Sequence, residues 1–519
     1  MRERLWAAIL GITAAAAVLA TAELIAIFVG PQSSPLFAMG SLAIDLAPLW
    51  LKEAMIALFN TGDKVALFVM LGIALLVVAA VAGILEMKRR YAGVLVLVVV
   101  TALSIIAVTT RAEASAVWAL PTLLGMGAGI LVMLRGRRLL AAWIEAAGSR
   151  TEVPAASNST TAESLSRRSF VTFAALTSAA AVVVGVGARL MNASSAAVTA
   201  ARSAIRLPKP AVPAPPVPAG AELDVQGITP LITPNDEFYR IDVALQVPRI
   251  ESADWELKIT GLVDHPFSIT YDELLALPLE EHVTTIACVS NEVGGNLIGN
   301  ATWLGYPIRD LLAKAGPAAD ADMVLSSGPD GFTAGTPIET LTDPKRAAIL
   351  AVGMNGEPMP PEHGFPARMI VPGLFGYVSA TKWITTIEVT RFADAEGYWT
   401  PRGWSALGPV KTASRIDTPR ASQRVGAGTV PIAGVAWAQH TGIKRVEVQI
   451  DDGEWQEATL ATPISDDTWV QWSLPWTAEP GSHTARVRAT DKSGKTQTKT
   501  EAPPAPDGAT GWHTVSFTV

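Results

Sequence analysis

The single cysteine of the chain lies in the stretch Thr284-Thr285-Ile286-Ala287-Cys288-Val289-Ser290-Asn291-Glu292. The β-branched first half of this stretch predicts a strand, and the polar residues, with Gly294 and Gly295 behind them, predict a loop. A thiol at a strand end can reach a bound cofactor, and a soft thiolate suits a transition metal. A lone cysteine is more often a small buried apolar side chain, so this stretch alone leaves both interpretations open.

Short β-rich runs mix with helix-like segments on both sides of this stretch, over residues 221–410. Trp255–Gly261 is such a run and Ile308–Ala315 such a segment. The irregular order predicts an α+β domain, not a doubly wound sheet. The sequence contains no GxGxxG string, phosphate loop, zinc spacing or nucleophile elbow, so the common nucleotide-binding and hydrolase signatures are excluded.

Other strings flank the cysteine in a characteristic order. They are Thr233-Pro234-Asn235-Asp236-Glu237-Phe238-Tyr239-Arg240, Asn355-Gly356-Glu357-Pro358-Met359-Pro360, His363-Gly364-Phe365-Pro366-Ala367-Arg368 and Lys382-Trp383-Ile384. In this combination the region 225–519 resembles the sulfite oxidase family of molybdopterin-dependent oxidoreductases. The resemblance implies an enzyme that carries a molybdenum–molybdopterin cofactor.

The same resemblance assigns the candidate site residues. Cys288 is expected to supply the catalytic thiolate bound to molybdenum, as the only metal ligand from the chain. The cofactor-binding candidates are Asn235, Phe238, Tyr239, Arg240, Cys288, Ser327, His363, Arg368, Ser379 and Lys382. An arginine fork and a lysine ammonium both suit a phosphate group. A surface ion pair for Arg368 and simple stacking for Lys382 remain the alternatives.

Departures from the family pattern bear on the substrate. Sulfite oxidases have Ala-Gly-Asn-Arg-Arg after the cysteine, whereas this chain has Val289-Ser290-Asn291-Glu292-Val293. The family's active-site tyrosine is replaced by Val352. A site without that arginine and tyrosine should bind a small dianion poorly.

We therefore expect two-electron oxygen-atom transfer on a small sulfoxide- or sulfite-like substrate. One alternative is a sulfite dehydrogenase that rebuilt its anion site from other residues, for example Arg240 or Arg402. Another is a non-catalytic membrane receptor or assembly protein that retains the fold.

The composition indicates a membrane component. Half of the 519 residues are hydrophobic, 17% are charged, and the mean hydropathy is +0.33. Such a chain is neither disordered nor a nucleic-acid-binding protein. Residues 1–200 contain 15 Lys/Arg and 10 Asp/Glu, whereas the remainder contains 25 and 37. A basic membrane region followed by an acidic soluble region is the simplest interpretation.

Five apolar runs are long enough, or nearly so, to cross a bilayer. They lie near residues 5–29, 65–87, 94–110, 116–134 and 170–191, and the stretch 36–60 with Asp45, Lys52 and Glu53 is predicted to be interfacial or re-entrant. The positive clusters at Arg2, Lys88 and Arg135 predict a cytoplasmic N-terminus. The protein is thus expected in the plasma membrane, multi-pass, with its catalytic domain extracytoplasmic.

Two arginines precede the fifth run, in the stretch Ser166-Arg167-Arg168-Ser169-Phe170-Val171. It is similar to a twin-arginine export signal placed internally, and an ordinary positive-inside pair is the alternative. Six prolines within residues 208–218 then predict an extended linker. The expected boundaries are 1–192 for the membrane region, 193–220 for the linker and 221–410 for the oxidoreductase domain.

Strand-like runs at short spacing fill residues 411–519 and predict an immunoglobulin-like β-sandwich. This region resembles the family's dimerisation domain, which implies that a homodimer can form through it. His440, His483 and His513 are isolated in the sequence, so we expect no metal site from them. The chain has no haem motif, so a separate electron carrier, a quinone or a cytochrome, is expected.

Overall fold

The computed structural model describes residues 2–30, 33–48, 63–110, 114–148, 158–193 and 202–519, together with residues 51, 55 and 58. The chain forms two compact units, residues 1–195 and residues 196–519.

The first unit is α-helical. Its helices are α1 (Arg2–Val29), α2 (Pro35–Leu46), α3 (Asp63–Lys88), α4 (Ala92–Thr109), α5 (Leu120–Gly148) and α6 (Asn158–Ala193). Within the described ranges, five helical segments are long and apolar enough to cross a membrane, namely Glu3–Val29, Val65–Lys88, Ala92–Thr109, Ala116–Ala147 and Ser166–Ala188. This confirms five apolar helices. The helices extend beyond the predicted runs, so the arginines expected after the fourth run and before the fifth lie inside α5 and α6.

The stretch 36–60 is only partly described. Its beginning belongs to the short helix α2, whose first turn is capped by the Ser34 side chain. Lys52, Glu53 and the side chain of Asp45 lie outside the described residues. The predicted interfacial segment therefore stays a prediction.

Close backbone contact holds α1 against α3. A Cβ atom built on Gly11 would lie 1.9 Å from the Ala79 carbonyl oxygen, and one on Gly83 would lie 2.0 Å from that of Ala7. Small residues that permit such approach are typical of helix packing in membranes. The buried carboxylate of Glu86, near the end of α3, accepts the backbone N–H groups of Tyr91, Gly93 and Val94 at the start of α4. These bonds satisfy donors that a helix start leaves free.

The second unit begins with a mixed α+β domain built on two sheets. One sheet has the order β2-β1-β10-β5-β6 and the other the order β3-β4-β7-β8, with β9 paired to β7. The strands are β1 (Glu256–Gly261), β2 (Phe267–Thr270), β3 (Glu280–Ala287), β4 (Ile298–Pro307), β5 (Met323–Ser327), β6 (Thr333–Pro337), β7 (Ile349–Met354), β8 (Glu357–Pro358), β9 (Arg368–Ile370) and β10 (Thr386–Thr390). The short helices are α7 (Tyr271–Leu275), α8 (Ile308–Ala315) and α9 (Ile338–Thr342).

The proline-rich segment packs against this domain instead of standing free. Val212 forms a parallel bridge with Glu280, the first residue of β3. The Ala211 N–H donates to the Leu279 carbonyl at 2.7 Å, and the Glu281 N–H donates to the Val212 carbonyl at 2.8 Å. The extended segment thus covers part of the outer edge of β3, which would otherwise expose unpaired backbone groups.

The C-terminal region is a seven-stranded, nearly closed β-sandwich. Its strands are β11 (Ala413–Thr418), β12 (Gly428–Trp437), β13 (Ile443–Ile450), β14 (Trp455–Leu460), β15 (Val470–Ala478), β16 (Ser482–Asp491) and β17 (His513–Thr518), in the order β11-β12-β15-β14-β13-β16-β17. Alternating apolar residues of these strands fill the core, with Trp472 and Phe517 almost fully buried. The predicted immunoglobulin-like architecture is confirmed.

The Trp472→Ala variant should lose about 3–5 kcal/mol of unfolding free energy, because the indole is fully buried in the sandwich core. Denaturant unfolding of the detergent-solubilised chain, followed by circular dichroism, measures this loss. Glu454→Ala on the exposed β13–β14 turn is the control and should change little. Equal stability of the two variants would contradict the packing described above.

Candidate functional site

Cys288 follows directly after the last residue of β3 and lies at the wall of a cavity. The cavity opens to solvent, and the space between its walls together with the open mouth is about 830 Å³. The Cys288 N–H donates to the Leu297 carbonyl at 2.9 Å, which closes the loop between β3 and β4. The residue as a whole is 9% exposed. The strand β3 therefore ends just before Cys288, as the sequence predicts, and the thiol faces a space that can admit a ligand.

Opposing effects act on the thiol. Burial raises the pKa of Cys288, whereas hydrogen bonds from Ser290 and the positive charge of Lys382 act in the opposite direction. A metal-bound cysteine must be deprotonated. The ammonium group is therefore placed where it favours the thiolate that a metal would need.

Arg368 lines the same cavity from β9 and is 4% exposed. Its Nη1 donates to the His363 carbonyl at 3.0 Å, and its guanidinium carbon lies 5.4 Å from the centre of the Trp303 ring. Burial lowers the pKa of Arg368 to about 10. No carboxylate among the described residues lies within ion-pair distance of it. A buried guanidinium without an anion is costly, so the position fits an anionic ligand.

Lys382 is a second buried cation, 8% exposed, at the same wall. Its Nζ donates to Asp242 Oδ2 at 3.1 Å and to the Glu362 carbonyl at 3.0 Å. Burial lowers the pKa of Lys382 to about 8, and Asp242 acts against this shift. The neighbouring charge of Arg368 lowers that pKa further, and both side chains line the same cavity.

His363 presents an unsatisfied ring nitrogen. Its Nε2 lies 2.9 Å from the Asn235 carbonyl, which can only accept, so Nε2 carries the proton. Burial lowers the pKa of His363 to about 4, and the imidazole is neutral near pH 7. Its buried Nδ1 has no hydrogen-bond partner within the described part of the chain. This nitrogen is therefore a buried acceptor with capacity for a ligand N–H or O–H.

The entry string forms the support behind this histidine. Asn235 Oδ1 accepts a hydrogen bond from Asn355 Nδ2 at 2.8 Å, which ties the entry string to the Asn-Gly turn. The Phe238 ring packs edge-on against His363, with ring centres 5.6 Å apart. Tyr239 lines the cavity, and burial followed by the nearby thiol raises its pKa. Three strings that are far apart in sequence thus meet at one place.

The structure separates the predicted site residues into two groups. Phe238, Tyr239, Cys288, Arg368 and Lys382 line the cavity, whereas Asn235, Arg240, Ser327, His363 and Ser379 are not part of its wall. The Ser379 hydroxyl donates to the Phe375 carbonyl at 2.9 Å, so it serves the local turn. The Ser327 backbone carbonyl accepts from Thr385 in the β5–β10 region. Arg240 pairs with Asp242 and supports Lys382 indirectly.

Several residues of the cavity wall are not among those predicted from the sequence. Asp330 and Phe332 come from the turn after β5, and Tyr377, Trp399 and Trp404 form an aromatic side of the cavity. Burial raises the pKa of Asp330 to about 6. The buried Trp404 Nε1–H has no acceptor within the described ranges. The Gly-Pro-Asp-Gly turn before Phe332 and the two closely spaced tryptophans were visible signals, but neither belongs to the strings that carried the resemblance.

The residues present fit a cofactor that combines an anionic group with a soft metal. Two buried cations and a thiol line one cavity, and the imidazole of His363, with its unsatisfied nitrogen, packs against the wall residue Phe238. An arginine fork and a lysine ammonium both suit a phosphate group, and a thiolate is a ligand for soft transition metals.

Comparisons with known proteins agree with this chemistry. Residues 244–399 match the family model described as an oxidoreductase molybdopterin binding domain. Residues 413–487 match the model of a bacterial Ig domain. The fold and the cavity thus define a molybdopterin-binding oxidoreductase domain followed by an immunoglobulin-like domain.

Two curated relatives indicate which family of molybdopterin-dependent oxidoreductases the chain belongs to. The mitochondrial sulfite oxidase of Homo sapiens is 29% identical over 320 residues, which cover 52% of this chain and 58% of that protein. The uncharacterized oxidoreductase YuiH of Bacillus subtilis (strain 168) is 34% identical over 154 residues, covering 30% of this chain and 74% of that protein. The chain belongs to the sulfite oxidase family of molybdopterin-dependent oxidoreductases. It spans less than two thirds of the sulfite oxidase to which it is similar.

A solved structure shows the same fold. The sulfane dehydrogenase SoxCD from Paracoccus pantotrophus superposes with a TM-score of 0.50 at 23% identity, covering 56% of this chain and 84% of that chain. At this level of identity the likeness concerns the fold alone.

The Asp330→Asn variant should be more stable than the wild type at pH 8, by about 1–2 kcal/mol. The folded chain has a pKa of about 6 at Asp330 against an ordinary value of 3.8, so it binds a proton between these values that the unfolded chain releases. That stabilising contribution is complete below pH 3.8 and is lost as the pH rises through 6.

Thermal midpoints measured from pH 4 to pH 8 check this expectation, with the exposed Asp254→Asn as control. A stability difference that stays constant across this range would contradict the burial of an ionisable group at position 330.

Proposed function

We propose that this chain is a membrane-anchored oxidoreductase that binds a molybdenum–molybdopterin cofactor. It performs two-electron oxygen-atom transfer on a small sulfoxide- or sulfite-like substrate. The observation that carries the proposal is the Cys288 thiol at the wall of a cavity that also contains Arg368, a buried cation with no carboxylate within ion-pair distance among the described residues. An uncompensated buried charge destabilises the folded chain, and an anionic cofactor would offset that cost, whereas a protein without a cofactor would bear the cost with no gain.

Four residues would hold the cofactor. Cys288 would bind the metal, Arg368 and Lys382 would neutralise the phosphate, and the free Nδ1 of His363 would accept a hydrogen bond from the pterin. When bound, the cofactor supplies the redox chemistry, and the chain supplies orientation and electrostatics. The ammonium of Lys382 favours the deprotonated thiol, and neutral His363 adds no further positive charge.

The walls of the cavity favour a neutral oxide over a sulfite dianion. Arg368 and Lys382 are the cations among its described wall residues, and Lys382 is paired with Asp242. The remaining wall is mainly aromatic and aliphatic, with a carboxyl group at Asp330. A dianion requires charged donors, whereas a sulfoxide needs only one or two hydrogen bonds.

A rebuilt anion site receives no support from the two arginines considered for it. Arg240 Nε bonds Asp242 at 3.0 Å, and the Arg402 guanidinium lies over the Tyr398 ring at 3.7 Å. Neither residue is part of the cavity wall, and neither are Glu292 and Val293, which occupy the positions of the family's arginines.

We infer that the apolar helices place the protein in the plasma membrane, with the catalytic domain extracytoplasmic, and that a quinone or cytochrome exchanges electrons with it. The charge pattern around the apolar helices supports this orientation. A homodimer through the β-sandwich stays a prediction, and the mass of the solubilised complex would test it.

Cys288→Ala should abolish turnover while the protein still folds. Wild-type protein should contain stoichiometric molybdenum and pterin, measured by elemental mass spectrometry and by pterin fluorescence after oxidation. The variant should show an unchanged circular dichroism spectrum with little or no activity, because the ligand atom is lost. Unchanged turnover in a metal-replete variant would refute the assignment of Cys288, and wild-type protein without metal would favour the non-catalytic alternative.

Steady-state kinetics with an artificial electron carrier should separate the substrates. We expect kcat/KM for methionine sulfoxide reduction to exceed that for sulfite oxidation by about tenfold or more, because the cavity lacks a cage of cationic donors. Efficient sulfite oxidation with no sulfoxide reduction would instead establish a sulfite dehydrogenase.

A further inference from the structure

The loop that carries Cys288 contacts the β-sandwich as well as its own domain. This segment, residues 288–297, is called the cysteine loop below. Within the loop, the Asn291 N–H donates to the Cys288 carbonyl at 3.1 Å, and Asn291 Oδ1 accepts from the Leu297 N–H at 2.8 Å. These bonds define its shape, but they do not anchor the loop to the rest of the molecule.

Arg415 of β11 connects the sandwich to the cysteine loop. Its Nη1 donates to the Gly295 carbonyl at 2.8 Å. Its Nε donates to Asp417 at 2.6 Å and its Nη2 to Thr229 Oγ1 at 2.8 Å. The guanidinium is buried and its charge is balanced by Asp417, so the fork is held in one orientation. Arg415 is not part of the cavity wall, so it acts on the site only through the loop.

His513 of β17 packs against the neighbouring residue of the loop. Gly294 has φ +78°, and a Cβ atom built on it would lie only 2.2 Å from His513 Cδ2. The His513 Nδ1 accepts a hydrogen bond from the Ile416 N–H at 2.9 Å, so the ring orientation is set by the sandwich. The glycine is therefore needed for two reasons, its left-handed backbone and the imidazole that leaves no room for a side chain.

The strand that precedes Cys288 is also attached to the sandwich. The Thr285 N–H donates to the Asp467 carbonyl at 3.0 Å, and Thr285 Oγ1 accepts from the Trp469 N–H at 2.8 Å. Ala287 and Val289, on either side of the cysteine, share one apolar core with Trp437 and Trp469. Residues before and after Cys288 in the chain thus contact the C-terminal domain.

We propose that the β-sandwich positions the Cys288 thiol, and that Arg415 and His513 are the positioning residues. The sandwich then serves the chemistry of the cavity in each single chain, whether or not it also mediates dimerisation. The catalytic consequence rests on the proposed function, since only a metal-ligating thiol must be held at a fixed position. The structural consequence can be measured without the cofactor.

The decisive experiment uses the fact that the chain has a single cysteine. Full-length protein from a host unable to make the pterin is treated with N-ethylmaleimide, and intact mass spectrometry follows alkylation of Cys288. Arg415→Ala and His513→Ala should be alkylated at least about tenfold faster than the wild type. The first variant loses a buried hydrogen bond from a charged group to the loop, and the second loses the imidazole that packs against Gly294, so both favour opening of the loop. The milder Arg415→Lys should be intermediate, because one ammonium cannot replace the fork.

The matched control is Arg488→Ala. Arg488 lies in the same sandwich, bonds both oxygens of Glu447 at 3.0 and 3.1 Å, and lies over the rings of Trp455 and Trp512. None of these contacts is with the cysteine loop. The variant should be alkylated at the wild-type rate. Wild-type rates in all Arg415 and His513 variants, or an equal acceleration in Arg488→Ala, would overturn the proposal.

In the cofactor-loaded enzyme, Arg415→Lys should lower kcat by about tenfold and leave KM nearly unchanged, because substrate contacts lie elsewhere. If the loaded wild type lacks molybdenum, the proposed function fails, but the alkylation result still decides whether the sandwich positions the thiol. If the wild type is active and the kcat of Arg415→Lys is unchanged, the positioning role is refuted while the proposed function stands.

Discussion

The hydrogen bonds of Thr285 connect the parts of the molecule that build the cavity. Its backbone N–H and its hydroxyl bond the segment 467–469 of the sandwich, and the hydroxyl also donates to Asn300 Oδ1 at 2.9 Å in β4. Asn300 in turn donates to the Leu231 carbonyl and so reaches the segment just before the entry string. The buried side chain of Thr285, three residues before the thiol, therefore links the oxidoreductase domain, the sandwich and, through Asn300, the segment before the entry string. Such fully satisfied polar networks specify a unique packing, since any other arrangement leaves a buried group unpaired.

The electrostatics of the cavity depend on two cations that this packing keeps buried. Arg368 is buried on β9 and Lys382 in a turn before β10, and their desolvation is costly without an anion. The chain compensates Lys382 with Asp242 and leaves Arg368 to backbone carbonyls and the Trp303 ring. Near His363, this positive field and burial keep the imidazole neutral. An anionic ligand in the cavity would therefore offset the cost of the buried Arg368 charge.

The proline-rich segment shows how a linker can become part of the fold. An extended conformation follows from the six prolines, but its position depends on an unpaired strand edge in the next domain. Arg202 continues the attachment, with its Nε donating to the Pro358 carbonyl at 2.9 Å and its Nη2 bonding Glu357 at 2.9 Å. The segment therefore forms a strap on the domain surface from residue 202 onward. Local composition could predict its conformation, but not the surface that receives it.

The sequence by itself determined the elements whose signals are local. Apolar length predicted five membrane-spanning helices, the β-branched run before Cys288 predicted β3, and the ordered strings identified the family together with Arg368 and Lys382 at one site. The tertiary structure alone decided which groups meet. Asp330, Trp399 and Trp404 reach the cavity from separate loops, Ser327 and Ser379 do not reach its wall, and Arg415 reaches the cysteine loop across 120 residues of chain. The physical reason is that a strand or span is specified by neighbours along the chain, whereas the composition of a cavity depends on how separate elements pack.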